Sequence, residues 1–259
     1  MSQNRFGGER LDSKSSLSKN NLLEHLARYN LVTPNKIGQV LDIGCGSGHG
    51  SFVLADKFSN VMGVDVSPEA ISYARLNWQK PNIEYKEGSG TKIPYSDNLF
   101  DSVVAYEVFE HICDWQKFLA EIKRVLKPNG LVYISTPNKT LYSPGTTKPI
   151  NPHHCFEMTI LEFKKALAGY FSIENFYGQR TPVYNDHWIW GIVNPILWTF
   201  KRIIPYKWNN SLKLQIINLI KAELEEGDIV FKTDEAWVNN SRFMLAVCRK
   251  TNNQQEVKV

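Results

Sequence analysis

The chain has 259 residues, of which 42% are hydrophobic and 22% charged. These values are typical of one large globular domain or of a domain with an insertion, and they argue against a disordered or fibrous chain. The formal net charge of +4 permits an anionic ligand without requiring nucleic acid. The four cysteines follow neither a CxxC spacing nor a disulfide framework, and the N-terminus lacks the apolar run of a secretory signal. A reducing, cytoplasmic location is therefore expected.

The N-terminal part, residues 1–36, is expected to form a polar arm and a helix over about 20–30 that together cap a site. Residues 37–180 alternate short apolar strands with amphipathic helices, which predicts a core with a parallel sheet covered on both faces. The predicted strands span 38–43, 61–66, 83–86, 101–106, 131–135 and 171–176, with a last one over 242–248. The fold class is α/β: a Rossmann-like, doubly wound, mostly parallel seven-stranded sheet with a helical insertion before the last strand.

Local signals place several of the intervening helices. One helix is predicted over 51–58, and a second begins at Ser67-Pro68, with serine as N-cap and proline in the first turn. A third continues through Phe118 and ends before Pro128. A fourth opens at Thr159, where a glutamate three residues later completes a capping box.

The segment 181–241 interrupts this alternation and is too long for a plain connection. Within it, residues 187–221 hold four tryptophans and five basic residues but no acidic residue. Such a composition fits a hydrophobic lid over an acceptor pocket, a surface that docks on a membrane or a lipid-linked glycan, or a dimer interface. The chain then returns to the core with 242–250 and ends in a polar tail, 251–259.

A glycine-rich loop, Asp42-Ile43-Gly44-Cys45-Gly46-Ser47-Gly48, follows the first predicted strand and leads into a helix. Glycines allow a tight turn and a close approach to a ligand, and in such sheets ligands bind at the carboxyl ends of the strands. Asp65 ends the second strand, where a carboxylate can accept hydrogen bonds from ribose hydroxyls. The spacing is GxGxG rather than GxGxxG, which favours a nucleoside carrying an amino-acid moiety over a dinucleotide.

Four ordered motifs, VLDIGCGSG, GVDVSPEAI, IPYSDNLFD and KRVLKPNGLVYISTPN, resemble those of class I S-adenosylmethionine-dependent methyltransferases of the type 11 group. The resemblance covers about residues 37–180 and the last strand. It implies that Asp42, Gly44, Gly46 and Gly48 hold the methionine half of the cofactor, that Asp65 holds the ribose, and that Tyr106 lines the sulfonium. Ser89 stands where the family often has an aspartate that contacts the adenine amino group, and its hydroxyl is expected to accept that hydrogen bond instead.

Candidate groups for proton transfer follow the fourth predicted strand, in Glu107-Val108-Phe109-Glu110-His111. If a helix begins here, Glu107, Glu110 and His111 share one face. His154, after the fifth strand, adds an imidazole at the same edge of the sheet. Two glutamates and two histidines form a plausible set of ligands for a divalent cation.

The ExxEH spacing is similar to the metal-binding motif of ubiquinone-biosynthesis O-methyltransferases. Together with His154-Cys155-Phe156-Glu157-Met158-Thr159, it also resembles small-RNA 3′-end 2′-O-methyltransferases. This resemblance implies Mg²⁺ or Mn²⁺ held by Glu107, Glu110, His111 and His154. Two alternatives stay open: His111 or His154 acts as a base without metal, or these side chains are structural.

The favoured function is methyl transfer from S-adenosylmethionine to a hydroxyl of a small molecule or glycan. The alternatives are 2′-O-methylation of an RNA end, which the mild charge disfavours, and a non-catalytic protein that only binds the cofactor.

Overall fold

The computed structural model describes residues 24–180 and 229–251. The predictions for the N-terminal arm up to residue 23, for residues 181–228 with their aromatic and basic composition, and for the tail from residue 252 lie outside the described residues. The boundaries expected for these segments stay predictions.

Helices and 3₁₀ turns alternate with strands along most of the described chain. The helices are α1 (24–30), α2 (His49–Leu54), α3 (Pro68–Asn77), α4 (Trp115–Val125), α5 (Lys139–Tyr142), α6 (Ile160–Ala168) and α7 (Glu235–Asn239). The strands are β1 (Asn35–Ile43), β2 (Phe58–Asp65), β3 (Ile83–Glu87), β4 (Phe100–Tyr106), β5 (Leu126–Pro137), β6 (Ser172–Arg180), β7 (Val230–Lys232) and β8 (Phe243–Arg249). A short 3₁₀ turn covers Phe109–His111.

The strands form one sheet in the order β3-β2-β1-β4-β5-β8-β6-β7. The pairs β1–β2, β2–β3, β1–β4 and β4–β5 are parallel, whereas β8 runs antiparallel to β5. The expected α/β, Rossmann-like class is confirmed. The expected count of seven strands is wrong by one, because β7 joins the sheet edge from within the segment predicted to be helical.

Because β1 and β4 are adjacent and parallel, their carboxyl ends bring the glycine loop and the segment after Tyr106 to the same edge of the sheet. Helices pack on the sheet and bury its apolar side chains. Helix α4 shows the pattern: it buries Phe118, Leu119, Ile122 and Val125 completely, the spacing of one helical face.

Two local predictions needed correction. Helix α2 spans His49–Leu54 rather than 51–58, because Phe58 already belongs to β2 and is buried there. Strand β5 begins at Leu126, so it includes the Lys127-Pro128 segment that was expected to separate helix from strand. The helix starts at Ser67-Pro68 and at the Thr159–Glu162 capping box are confirmed.

The chain divides into two compact units, one formed by Met1–Gly178 with Lys232–Val259 and the other by Gln179–Phe231. The first unit contains the glycine loop and every predicted site residue. Among residues 24–180 and 229–251, no helix has the length and apolar character that crossing a membrane requires.

Candidate functional site

The glycine loop turns sharply between β1 and α2. Gly44, Gly46 and Gly48 have φ angles of +73°, +52° and +93°, in the region that other residues rarely adopt. A Cβ atom on Gly44 would lie 2.6 Å from Val108 Cγ2, whereas one on Gly46 would meet no atom within 4 Å. Gly44 thus lets the loop after β4 approach closely. Gly46 faces open space, as a backbone that cradles a ligand requires.

Asp42, the last acidic residue of β1, points into the protein beneath this loop. Its carboxylate accepts hydrogen bonds from the hydroxyls of Ser51 at 2.6 Å and Tyr29 at 3.1 Å. Burial raises the pKa of Asp42 to about 7, although these two hydrogen bonds act in the opposite direction. Asp42 therefore links α1 and α2 to the glycine loop, and its predicted contact with the methionine half stays a prediction.

Asp65 lies at the end of β2, as expected for a ribose-binding carboxylate. One of its oxygens accepts the N–H of Gly46 and the other that of Ser67, each at 2.9 Å. The carboxylate is thereby fixed against the glycine loop. A carboxylate offers about four acceptor directions, so this geometry fits the ribose role predicted for Asp65.

Ser89 follows β3 at the same edge of the sheet. Its hydroxyl lies 3.0 Å from that of Thr91 and accepts the Thr91 N–H at 3.2 Å. The serine thus stabilises its own turn, and its predicted adenine contact is not tested by these bonds.

Tyr106 ends β4 and is buried against α1. Its hydroxyl donates to the Arg28 carbonyl at 3.1 Å, and its ring packs edge-on against Tyr29 at 5.1 Å. Helix α1 therefore lies over the carboxyl ends of the central strands, and the predicted sulfonium contact of Tyr106 stays a prediction.

The segment after β4 does not form the helix that would place Glu107, Glu110 and His111 on one face. Glu107 has a φ angle of +54°, a left-handed conformation that costs a non-glycine residue about 1–3 kcal/mol. Its N–H donates to Ser135 Oγ at 3.1 Å, and its carboxylate accepts from the same hydroxyl at 2.7 Å. The Arg28 guanidinium lies 3.7 Å from this carboxylate. The chain then makes only the Phe109–His111 turn, and α4 starts at Trp115.

Glu110 is buried, with an exposed fraction of 1%, and accepts a hydrogen bond from Thr136 Oγ1 at 3.0 Å. Burial raises the pKa of its carboxyl group well above the usual range, and the nearby Glu107 carboxylate adds to the effect. Glu110 thus favours the protonated form unless a cation lies beside it.

The two predicted histidines meet beside Glu110. The rings of His111 and His154 are edge-on, with centroids 4.9 Å apart. His111 Nδ1 lies 3.1 Å from the carbonyl oxygen of His153, so this nitrogen donates and the lone pair of the neutral ring is on Nε2.

Ligand atoms of Glu110, His111 and His154 lie within 4.8 Å of one another. Two imidazoles and one carboxylate are a donor set suited to a divalent transition metal. Glu107 does not join this group: its kinked backbone directs the carboxylate to Ser135 and Arg28. The structure thus brings together three of the four predicted ligands.

Cys113 and Cys155 form a disulfide that ties the loop after β4 to the loop carrying His154. Next to it, the Cys155 N–H donates to the Glu110 carbonyl at 2.8 Å. The spacing of the cysteines did not indicate this disulfide, because the fold brings together residues 42 positions apart. Cys45 and Cys248 are free and buried.

The sequence analysis assigned no role to four residues of the site: Tyr29, Arg28, Asn151 and Glu157. Tyr29 and Arg28 reach the site from α1, and no motif marked them. Asn151 and Glu157 flank His154 and bond to its ring. Glu157 stands inside a motif that was recognised, so its i+3 spacing from His154 was a signal that could have been used.

Residues 41–134 match a family model described as a methyltransferase domain. A probable S-adenosylmethionine-dependent methyltransferase of Mycolicibacterium smegmatis is 36% identical over 141 residues, which cover 54% of each chain. A ubiquinone biosynthesis O-methyltransferase of Azorhizobium caulinodans is 35% identical over 114 residues, covering 43% of this chain and 45% of the relative. The chain thus spans about half the length of these curated relatives.

Solved structures share the fold at low identity. A methyltransferase in complex with the Haloferax volcanii Trm112 methyltransferase activator has a TM-score of 0.59 at 20% identity, covering 90% of this chain and 92% of its own. The cyclase SpnF has a TM-score of 0.55 at 17% identity, covering 93% of this chain and 85% of its own. Since the second protein is named as a cyclase, the fold alone does not determine the reaction.

The glycine loop, the anchored Asp65 and the family match at residues 41–134 define the class of this domain. Residues 41–134 thus form a methyltransferase domain, and over this part the chain is similar to S-adenosylmethionine-dependent methyltransferases.

Proposed function

We propose that the protein transfers a methyl group from S-adenosylmethionine to a hydroxyl of a small molecule or glycan, with His154 or His111 as the base. The observation that carries this proposal is the cluster of Glu110, His111 and His154. It lies in the loops after β4 and β5, and Val108 of the first loop packs directly on Gly44. This contact supports a position for the proton acceptor close to the glycine loop.

When bound, S-adenosylmethionine supplies an electrophilic methyl group on a sulfonium. The protein's task is to align the acceptor oxygen with that methyl and to remove the hydroxyl proton as the new bond forms. Positioning alone is worth about 7–11 kcal/mol of barrier. A neutral imidazole with its lone pair on Nε2 can take the proton and release it to water afterwards.

The relatives named as ubiquinone biosynthesis O-methyltransferases support oxygen as the acceptor atom. Their printed names concern those proteins, and the match covers less than half of this chain. The acceptor class therefore rests mainly on the imidazole pair, which suits an acceptor whose proton must be removed.

We propose a divalent cation, Mg²⁺ or Mn²⁺, as the alternative to the imidazole base, because a ring nitrogen that coordinates a cation has no lone pair left for a proton. Glu110, His111 and His154 would hold it, and the raised pKa of Glu110 fits a buried carboxylate whose charge a cation compensates. A metal in this position lowers the pKa of a coordinated hydroxyl. The two-histidine donor set favours Mn²⁺ over Mg²⁺, which prefers oxygen ligands.

Calorimetric titration of the full chain with S-adenosylmethionine and its demethylated product tests the cofactor site, with Asp65→Ala as the binding-deficient control. Methyl transfer from labelled S-adenosylmethionine to panels of hydroxylated small molecules and glycans, with Mn²⁺, Mg²⁺ or a chelator, then tests the reaction.

In these assays His154→Gln should bind the cofactor normally and lose about 10²–10⁴ in rate. Wild-type turnover in both His154→Gln and His111→Gln would refute the proposed base. Turnover indifferent to the chelator would remove the metal from the proposal and leave the imidazole base.

A further inference from the structure

His154 is bonded to a buried carboxylate on the side of its ring away from Nε2. Its Nδ1 lies 2.8 Å from Glu157 Oε1, and the two side chains have exposed fractions of only 3% and 1%. The carboxylate oxygen accepts the Nδ1–H, and in the neutral ring the lone pair then lies on Nε2.

The hydrogen bond at Nε2, the other ring nitrogen of His154, agrees with this tautomer. Asn151 Oδ1 accepts the His153 N–H at 3.0 Å, which fixes the orientation of the amide group. The Asn151 Nδ2 group therefore faces His154 Nε2, 3.0 Å away, and donates to it. Nε2 is thus an acceptor whose lone pair bonds the Asn151 amide in this structure, and a substrate hydroxyl takes this position when it displaces the amide.

The backbone holds Glu157 in a rigid position. The next residue, Met158, forms a parallel bridge with Asn138, and its carbonyl accepts the Lys139 N–H at 3.0 Å. Thr159 then begins α6 with a complete capping box to Glu162. The backbone around Glu157 is consequently anchored by a β-bridge and a helix start, independently of the ring that the carboxylate contacts.

The second carboxylate oxygen of Glu157 indicates that this residue does not serve to stabilise the fold. Oε2 is buried and has no hydrogen-bond partner among the described residues. Leaving a buried polar atom without a partner is destabilising, and such an atom in a folded protein calls for an explanation. Within residues 24–180 and 229–251, the contact with His154 is the only hydrogen bond of this side chain.

From this geometry we infer that Glu157 is the positioning residue of His154: it fixes the ring in the Nδ1–H tautomer, which keeps on Nε2 the lone pair that accepts the substrate proton. This inference rests on the proposed function, in which His154 takes the proton. Glu157 touches neither substrate nor cofactor in this role and acts through the imidazole.

The tautomer can be measured without turnover. Long-range proton–nitrogen correlation spectra of the ¹⁵N-labelled full chain, assigned with His154→Gln, should show His154 with its proton on Nδ1. Glu157→Leu removes the acceptor and should abolish that preference. Glu162→Gln, in the neighbouring capping box, is the matched control: it should lower thermal stability and leave the tautomer unchanged.

Kinetics test the consequence. Glu157→Leu should lose at least about 10² in kcat, the contribution of a positioned base, with an unchanged KM for S-adenosylmethionine. Glu157→Gln should recover much of this loss, because the Oε2 position has no partner that would turn the amide nitrogen towards the ring. In a His154→Gln background, Glu157→Leu should cause no further loss.

Two results would overturn the inference: an unchanged His154 tautomer in folded Glu157→Leu, or an additive loss of kcat when this change is combined with His154→Gln. Failure of the proposed function has a different signature. In that case His154→Gln retains full turnover even though the spectra show the tautomer and its dependence on Glu157.

Discussion

The buried carboxylate of Asp42 makes the stability of this protein depend on pH in a defined direction. Its pKa in the folded state is about 7, compared with a reference value of 3.8. At Asp42 the folded state therefore binds a proton more tightly than the unfolded state, and the contribution of this group to stability is largest at low pH. It falls as the pH rises from about 4 to 7, by up to about 1.4 kcal/mol per pH unit.

Asp42→Asn isolates this contribution, because asparagine imitates the protonated acid in shape and cannot ionise. Linkage gives the unaltered protein a loss of about 2–3 kcal/mol from this group between pH 5 and pH 8. The variant should lack that loss, so its stability relative to the unaltered protein should rise by the same amount. The asparagine amide can still bond to one of the Tyr29 and Ser51 hydroxyls.

Urea unfolding of both proteins at several pH values, followed by tryptophan fluorescence and circular dichroism, measures the difference. Subtraction cancels the titration of groups that the two proteins share. A stability difference that stays constant between pH 5 and pH 8, or that moves against the variant as pH rises, would refute the reasoning.

The features that sequence reasoning located correctly depend on neighbouring residues. The glycine loop, the helix start at Ser67-Pro68 and the capping box at Thr159 each need only a few consecutive residues and their backbone preferences. The strand alternation was equally readable, since buried parallel strands are short apolar runs.

The features that it missed are set by contacts between distant parts of the chain. Glu107 adopts a positive φ angle where Ser135, 28 residues away, bonds both its N–H and its carboxylate, and this turn replaces the helix that the ExxEH spacing suggested. Likewise, the pairing of Cys113 with Cys155 depends on two loops meeting at one edge of the sheet. The spacing of residues in the sequence predicts neither the turn at Glu107 nor this disulfide.

Two further predictions concern the loops around the site. Gly44→Ala should destabilise the fold by more than Gly46→Ala, since its new Cβ would lie 2.6 Å from Val108 Cγ2 whereas the other meets open space; thermal unfolding compares the two, and equal losses would contradict the packing. Cys113→Ser should destabilise the oxidised protein because the Cys113–Cys155 bond closes a loop spanning 42 residues. In the chain-entropy description, a closure of this length is worth about 4 kcal/mol. With a thiol reductant present the difference should almost vanish, since both proteins then lack the crosslink. A full loss that persists in reductant would show that the cysteine acts through packing rather than through the bond.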